Sequence, residues 1–363
     1  MKRYITGMDS NALSKRDNIV RAIRFDRPEY IPMTFHINEA CWGHYPAEFL
    51  EELMAEHSFL FPAAKRKQAR PELEQQVPER VGRPHVDPWG CKWETAMDGI
   101  VGTVTEHPLA DWGAFESFIM PDPAVTDGKV GVDWGEISSS IEKAKAAGEF
   151  TVGGLIHGHT FQRMVDLRGY EDLLFDMFDG HADLQRLIEM VERFNAEIVQ
   201  RYVDLGVDMM CYAEDLGMQS GPMVSPEMFK KYIGPVYERL MEPAREAGCI
   251  IHMHSDGCVR ELVDELVRDG VEAVNIQDLV NGIDWIRDNL GGRVCVDLDI
   301  DRQEVTVHGS PGDIEKLIRE EVTKLGSPQG GLMLIYGLYP GVPRENVRAL
   351  ADAMEKYAFH FSG

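Results

Sequence analysis

Basic side chains are scarce in this chain of 363 residues. Its 37 lysines and arginines stand against 61 aspartates and glutamates, which gives a formal net charge of −24 at pH 7. A surface with this balance repels polyanions, so nucleic acid and anionic membranes are not expected partners. A basic patch on a partner protein would still be attracted to it.

Long apolar runs and closely spaced cysteines are also missing. No stretch approaches the roughly 20 apolar residues of a membrane-spanning helix, and residues 1–7 do not lead into the apolar segment of a signal peptide. The six cysteines are scattered without C-x-x-C spacing. Cys211, Cys249 and Cys295 lie in strand-like runs and are expected to be reduced core residues. The sequence therefore predicts a soluble protein of a reducing, cytoplasmic compartment.

Helical and strand patterns alternate along most of the chain. Strands separated by helices imply right-handed βαβ crossovers and a parallel sheet. A (β/α)₈ TIM barrel fits best, with seven strands recognisable and the eighth not, and a doubly wound sheet is the alternative. The predicted strands are residues 30–36, 151–156, 206–211, 249–253, 271–276, 293–298 and 332–336. The predicted helices are residues 11–25, 183–205, 226–247, 259–268, 284–289, 313–325 and 343–359.

The proline-rich region 62–123 interrupts this alternation. We expect it to form a long insertion of loops and small strands after the first barrel unit, and long ordered loops often carry function. Neither an internal repeat nor a flexible linker divides the chain, so residues 1–363 are expected to form one domain.

One short run carries the densest chemistry. An apolar strand over residues 248–251 leads into His252, His254 and Asp256, followed by glycine. Period-two spacing places both histidines on one face of the strand, with the carboxylate just beyond its end. Imidazole and carboxylate groups at such a position bind Zn²⁺ or transfer protons. The alternative is that one histidine packs in a core and the other caps a turn.

The other predicted strands also end in polar side chains. Chemistry in a barrel gathers where strands end, so these groups are expected to line one active site. For Asp215 and Asp301, helix capping is the alternative. The polar groups that follow the strands are His36, Asn38 and Glu39; His157 and His159; Glu214, Asp215 and Gln219; His254 and Asp256; Gln277 and Asp278; Asp297, Asp299 and Asp301; and Tyr336 and Tyr339.

A series of short motifs is spread over most of the chain. The motifs are Arg16-Asp17-Asn18, Phe25-Asp26-Arg27-Pro28, Arg168-Gly169-Tyr170-Glu171, Glu214-Asp215-Leu216-Gly217-Met218-Gln219, Ser225-Pro226-Glu227, His254-Ser255-Asp256-Gly257, Asn275-Ile276-Gln277, Asp301-Arg302-Gln303 and Pro343-Arg344-Glu345-Asn346. In these motifs the chain resembles the uroporphyrinogen decarboxylase superfamily, which includes cobalamin-dependent methyltransferases beside the heme-pathway decarboxylase. The resemblance implies the (β/α)₈ barrel independently of the strand count.

The chain departs from the decarboxylase pattern. Heme-pathway decarboxylases have an arginine-rich segment after the first strand, which pairs with the carboxylates of the porphyrinogen. Here no arginine occurs between Arg27 and Arg66, and residues 34–39 read T-F-H-I-N-E. Bidentate pairing with a polycarboxylate is unavailable there, so a porphyrinogen is not the expected substrate.

The chain also departs from the metal site of thiol-alkylating methyltransferases. Those enzymes carry H-x-C after the corresponding strand and a second cysteine near the C-terminal strand. This chain matches the histidine with His254, has Asp256 in place of the first cysteine and Tyr336 at about the place of the second. Nitrogen and oxygen ligands make a harder Lewis acid, which suits an ether or alcohol oxygen. Loss of the metal is the alternative.

The resemblance thus implies a corrinoid-dependent methyltransferase. We expect it to move a methyl group from a methylated small molecule, such as a methoxylated aromatic (O-demethylation), to Co(I) of a corrinoid. The D-x-H-x-x-G pattern of a corrinoid-binding module is absent, so the cobalamin would belong to a partner protein; homodimer formation is left open. The alternatives are a decarboxylase or lyase of a small non-porphyrin acid and an inactive barrel that serves as a scaffold.

Candidate residues follow from this hypothesis. The expected catalytic residues are Glu214, His254, Asp256, His36 and Tyr336. The expected Zn²⁺ ligands are His254, Asp256 and Glu214, with His252 as a further candidate. The expected substrate-binding residues are Phe35, Asn38, Trp42, His157, Gln219 and Gln277.

Overall fold

A parallel sheet of seven strands forms the centre of the molecule. The structure is a computed structural model and describes residues 13–62, 79–268 and 270–362. The strands are β1 (Met33–Ile37), β2 (His85–Val86), β3 (Lys92–Glu94), β4 (Thr103–Glu106), β5 (Val152–Gly154), β6 (Met209–Ala213), β7 (Ile250–Ser255), β8 (Ala273–Gln277), β9 (Cys295–Asp299) and β10 (Leu332–Leu338).

The order of the strands is that of a barrel sheet and not that of a doubly wound one. It runs β1-β10-β9-β8-β7-β6-β5, with every pair parallel. The first strand pairs with the last, and the order never reverses as it does at the switch point of a doubly wound sheet. Within the described residues, β1 and β5 are the two end strands and no strand joins them. All seven strands predicted for this sheet are confirmed.

The two faces of the sheet differ in chemistry because successive side chains alternate. On one face, Ile250, Ala273, Cys295 and Met333 form a small apolar cluster with the helix Lys15–Ile23 at the amino end of the strands. Polar residues follow further along the same strands. The opposite face packs against the surrounding helices in the main hydrophobic core.

The helices lie between the strands in sequence, as the alternation predicts. Only the turn Val263–Leu266 forms in the region 259–268 where a longer helix is predicted, and a π-helical turn, Phe229–Ile233, interrupts the helical segment that begins at Pro226. Nowhere in the described part of the chain is a helix both long and apolar enough to cross a membrane. The α-helices are Lys15–Ile23, Cys41–His44, Ala47–Glu56, Trp134–Ala146, Phe161–Arg168, Tyr170–Asp179, Leu184–Asp204, Pro226–Met228, Gly234–Glu246, Val263–Leu266, Asp278–Asn281, Ile283–Leu290, Val305–His308, Pro311–Leu325 and Arg344–Ala358.

The predicted insertion contains small strands and loops. From residue 79 to residue 123 it comprises the antiparallel sheet β2-β3-β4 and the 3₁₀-helix Trp112–Ser117, while residues 63–78 lie outside the described part of the chain. Asp87 links this segment to the barrel helix Phe161–Arg168, because its Oδ2 accepts a hydrogen bond from Nη1 of Arg163 at 2.7 Å. Both side chains of this ion pair are buried.

Candidate metal site

Three side chains at the carboxyl ends of adjacent strands converge on one point. They are His157 after β5, Asp215 after β6 and His254 in β7. Oδ1 of Asp215 lies 3.0 Å from Nε2 of His157 and 3.6 Å from Nε2 of His254. One ligand atom from each residue lies within 4.8 Å of the other two. This metal cluster, His157–Asp215–His254, is an arrangement that can bind a divalent ion.

Asp215 is held in place from both its backbone and its side chain. Its N–H donates to Oε1 of Gln162 at 3.2 Å, and Nε2 of Gln162 lies 3.5 Å from its Oδ2. Burial alone would raise the pKa of Asp215, but the hydrogen bonds and charges of His157 and His254 hold that pKa well below its ordinary value. Asp215 is therefore an anionic carboxylate between two imidazoles.

An amide fixes the ring orientation of His254. Nδ1 of His254 hydrogen-bonds to Oδ1 of Asn275, and Nδ2 of Asn275 donates to the carbonyl oxygen of Asp297. Because the Asn275 amide group already uses its N–H₂ on a carbonyl, its oxygen must accept from Nδ1–H of His254. Nε2 then faces the cluster, which is the orientation that second-shell partners give to metal-binding histidines.

The charge around His254 favours a proton in the absence of a metal. Burial lowers the pKa of His254, but the hydrogen bond with Asp215, the charge of Asp256 and the hydrogen bond with Asn275 together raise it above its ordinary value. A cation at this point therefore satisfies the surrounding carboxylates, and a metal ion would take the place of the proton.

Asp256 lies beside the cluster but is bound to an arginine. Its Oδ1 lies 3.9 Å from Nε2 of His254, whereas its two carboxylate oxygens are 3.1 and 3.2 Å from Nη2 of Arg302. The same guanidinium nitrogen donates to Oδ2 of Asp299 at 2.7 Å. Burial raises the pKa of Asp299 to about 7 despite the charge of Arg302.

Two glycines let the loops that carry Asp215 and Asp256 touch. Gly257 has a φ of +77°, and a Cβ there would collide with the backbone of Gly217. The N–H of Gly217 donates to the carbonyl oxygen of Asp256 at 3.2 Å, so the contact is backbone to backbone. This close approach explains the glycine two residues after Asp215 and the glycine directly after Asp256.

Glu214, predicted as a metal ligand and catalytic residue, is not part of the cluster. It is fully buried, and its Oε1 accepts the N–H groups of Thr160 and Gln162 at 2.8 and 3.0 Å. Tyr237 donates its hydroxyl to the other oxygen. Glu214 therefore caps the start of the helix Phe161–Arg168, since it satisfies amide groups that lack partners in the first turn. The position predicted for Glu214 is taken by Asp215.

Three further candidates lie in the hydrophobic core and not at the site. Phe35, Trp42 and Tyr336 are all buried there. Phe35 and Tyr336 are register partners on β1 and β10 whose rings pack 5.3 Å apart. They share the sheet face that meets the helices, because the alternation that brings His254 inward on β7 takes these rings outward. Burial raises the pKa of the Tyr336 hydroxyl, which makes it a poor proton donor.

His252 shares the inward face of β7 with His254 but lies one row further from the carboxyl ends. Its Nε2 is 3.0 Å from Oδ2 of Asp297, so it belongs to a separate pair and not to the metal cluster. Burial lowers the pKa of His252, but Cys211 and Asp297 raise it to about 10.

The remaining candidates lie at the carboxyl edge of the sheet. Asn38 accepts the N–H of Ala40 at 2.9 Å, Gln277 accepts the N–H of Gly257 at 2.9 Å, and Gln219 donates to Gln303 at 3.1 Å. His36 is exposed near the end of β1, at the other end of the sheet order from β5. None of the four is a member of the metal cluster.

Asp215 was expected to line the active site or to cap a helix, but not to be a member of the metal cluster, and no role was expected for Arg302. In the structure, Cys211, Ala213 and Asp215 alternate with the buried Met210, Tyr212 and Glu214, and the sequence alone does not determine which of the two sets faces the core. Helix capping is confirmed for Asp301, which accepts N–H groups at the start of the helix Val305–His308. Arg302 follows it with no local pattern that predicts a contact with Asp256.

The donor set fits Zn²⁺. Catalytic zinc sites use three protein ligands of this kind and keep a fourth position for water or substrate. Two histidines and one carboxylate also bind Fe²⁺, so the ligands alone do not select one metal.

Comparison with known proteins gives the family. The family model described as uroporphyrinogen decarboxylase (URO-D) matches residues 89–357. Methylcobamide:CoM methyltransferase MtaA of Methanosarcina barkeri is 24% identical over 178 residues, which are 47% of this chain and 49% of that protein. Uroporphyrinogen decarboxylase of Ovis aries is 28% identical over 149 residues, which are 37% and 38% of the two chains.

The chain thus spans about half the length, or less, of these curated relatives. A solved methyltransferase from Methanosarcina mazei has the same fold, with a TM-score of 0.63 and 17% identity over 94% of this chain and 98% of that one. Since the family model covers most of the chain, this protein belongs to the uroporphyrinogen decarboxylase (URO-D) family.

Proposed function

We propose that this protein is a corrinoid-dependent methyltransferase. It would take a methyl group from a methylated small molecule and pass it to Co(I) of a corrinoid on a partner protein. The observation that carries the proposal is the metal cluster His157–Asp215–His254 in a chain with similarity to a methylcobamide:CoM methyltransferase. We further infer that the sheet closes as a (β/α)₈ barrel within a single domain of residues 1–363, and this is supported by the pairing of β1 with β10.

The cluster residues would hold Zn²⁺. Bound Zn²⁺ would supply Lewis-acid polarisation of an oxygen on the methylated substrate, an effect worth several kcal/mol in metal-dependent enzymes. His157 is half-exposed and lies on the solvent side of the cluster, whereas His254 is nearly buried. A substrate would therefore approach from the side of His157, at the carboxyl ends of the strands.

The substrate class follows from the ligands. Nitrogen and oxygen donors favour an ether oxygen over a thiolate, so we infer O-demethylation of a methoxylated aromatic. Phe35 and Trp42 are too deeply buried to stack on such a ring. Tyr339 is partly exposed just after β10, and the Arg302 guanidinium lies 5.6 Å from its ring centroid, so it is the aromatic side chain we propose in their place.

An anaerobic methyl-transfer assay tests the proposal. The protein, loaded with Zn²⁺, is mixed with cob(I)alamin and a panel of methoxylated phenols, methylamines and methyl thioethers, and the visible spectrum of the corrinoid is followed. We expect methyl transfer from a methoxylated phenol only, lost in His157→Ala. The control is His181→Ala, which changes an exposed histidine that stacks on Trp112 outside the cluster.

Other outcomes separate the alternatives. Transfer from a thioether or amine alone would keep the reaction class and reject the substrate. Release of carbon dioxide from a small acid, without methyl transfer from any donor, would favour the decarboxylase or lyase alternative. No turnover of either kind would leave the scaffold alternative.

A further inference from the structure

The carboxylate of Asp256 lies between the metal cluster and Arg302. Its Oδ1 is 3.9 Å from Nε2 of His254, and the same oxygen is 3.1 Å from Nη2 of Arg302. Its N–H lies 3.4 Å from Oδ1 of Asp215. The carboxylate is therefore close enough to reach a metal bound at the cluster after a change of side-chain rotamer, and the arginine holds it back.

Arg302 can release Asp256 and still keep its hydrogen bond with Asp299. It also donates to Asp299 at 2.7 Å, and Asp299 is almost completely buried. Asp256 is more exposed, with 30% of its side chain accessible. Of the two carboxylates on Arg302, Asp256 is thus the one that can exchange, while Asp299 keeps the guanidinium paired.

We propose that Asp256 is an exchangeable fourth ligand of the metal site and that Arg302 competes with the metal for its carboxylate. With Asp256 on Arg302, three protein ligands remain and the fourth position is open to substrate. With Asp256 on the metal, the site is closed. This inference rests on the metal site of the proposed function and adds a device that decides between the two states.

A double-mutant cycle on metal binding tests this without measuring turnover. Zn²⁺ affinity of the metal-free protein is measured by competition with a chelating dye for wild type, Arg302→Gln, Asp256→Asn and the double variant. Co²⁺ absorption in the visible range reports the ligand set. The matched control is Arg287→Gln, which removes the same charge from an exposed pair with Asp284 and Asp288.

We expect Arg302→Gln to bind Zn²⁺ more tightly by roughly tenfold, the lower end of what a change around a metal ligand produces, and to alter the Co²⁺ spectrum. Asp256→Asn should bind like wild type, because its carboxylate is already held away. In the double variant the gain and the spectral change should both disappear. Arg287→Gln should behave like wild type.

Different outcomes would overturn the proposal on Asp256 and the metal site itself. If Arg302→Gln raises the affinity equally with and without Asp256, loss of a positive charge explains the gain and the proposal is overturned. An unchanged affinity in a folded Arg302→Gln protein also overturns it. If Arg302→Gln fails to fold, Arg302→Lys replaces it, because lysine keeps a positive charge beside Asp299 and donates fewer hydrogen bonds. This variant should show a smaller gain in Zn²⁺ affinity, and that gain should also require Asp256. If His157→Ala leaves Zn²⁺ affinity unchanged, the metal site itself fails, and with it the proposed function.

Discussion

Adjacent carboxylates at the end of β6 perform different tasks because successive side chains point to opposite sides of a strand. Glu214 faces the core and caps a helix, whereas Asp215 faces the cluster. We expect Glu214→Gln to lower the free energy of unfolding by about 1–3 kcal/mol, since the amide brings buried donors without acceptors. Asp215→Asn should lose Zn²⁺ affinity by more than roughly 100-fold, whereas Glu214→Gln should keep it. Denaturant melts and dye competition on both variants measure this, and the reverse pattern would restore Glu214 as the ligand.

Of the three cluster residues, only His254 was predicted as a metal ligand from the sequence, whereas His157 was expected to bind substrate. His254 follows from the period-two spacing with His252, and His157 from its place after a strand. The choice of Asp215 over Glu214 needs the register of β6, which a shift of one residue would invert. Arg302 could not be predicted, because its contact with Asp256 spans 46 residues and depends on how two loops pack.

At the scale of elements, the loops after β6 and β7 are fixed by the contact of Gly217 with Gly257. Gly257→Ala combines left-handed backbone strain with a backbone collision and should cost about 2–4 kcal/mol of unfolding free energy. Gly292→Ala is the matched control, because Gly292 has a φ of +72° and open space at its Cβ. Gly292→Ala should lower the free energy of unfolding only by the left-handed backbone strain, about 1–2 kcal/mol. Chemical denaturation of the two variants compares them, and equal losses would show that the loop contact is unimportant.

A buried acid on the helix Pro311–Leu325 should make stability depend on pH. Burial, and then the charge and hydrogen bond of Asp278, raise the pKa of Glu321 well above its ordinary value, and Asp301 and Glu320 add negative charge. In the unfolded chain Glu321 ionises as the pH rises through its ordinary range, while in the folded protein it keeps its proton. The contribution of Glu321 to the free energy of unfolding is therefore largest at pH values below its ordinary pKa. It decreases as the pH rises toward the pKa of Glu321 in the folded protein.

Glu321→Gln mimics the protonated acid and removes this dependence. We expect the variant to melt several degrees higher than wild type at pH 8 and to differ little near pH 4.5. Thermal melts across that range measure the difference, with Glu345→Gln in the helix Arg344–Ala358 as an exposed control. A difference that does not change with pH would mean that Glu321 is ionised in the folded protein.

For the molecule as a whole, the strand order could be predicted because each strand alternates with a helix and the motifs follow in sequence. The path of the insertion could not, because a proline-rich segment has no periodicity to interpret. The structure shows how its described part is anchored: Asp87 also accepts N–H groups of Trp89 and Cys91 at 2.9 Å and the indole N–H of Trp93. Arg163 neutralises this carboxylate and belongs to the helix Phe161–Arg168, whose start is capped by Glu214. The same helix therefore contacts both the insertion and the loop that carries Asp215.

Removing Arg163 tests whether insertion and barrel form one cooperative unit. Arg163→Met leaves the Asp87 carboxylate buried without its cation and should cost about 3–5 kcal/mol of unfolding free energy. Asp87→Asn in the same chain should recover part of that loss, because no unpaired charge then remains buried. In calorimetry we expect one transition for every variant, since the pair crosses the boundary between the two parts. A separate early transition that alone responds to Arg163→Met would show that the insertion unfolds independently, which would contradict a single domain over residues 1–363.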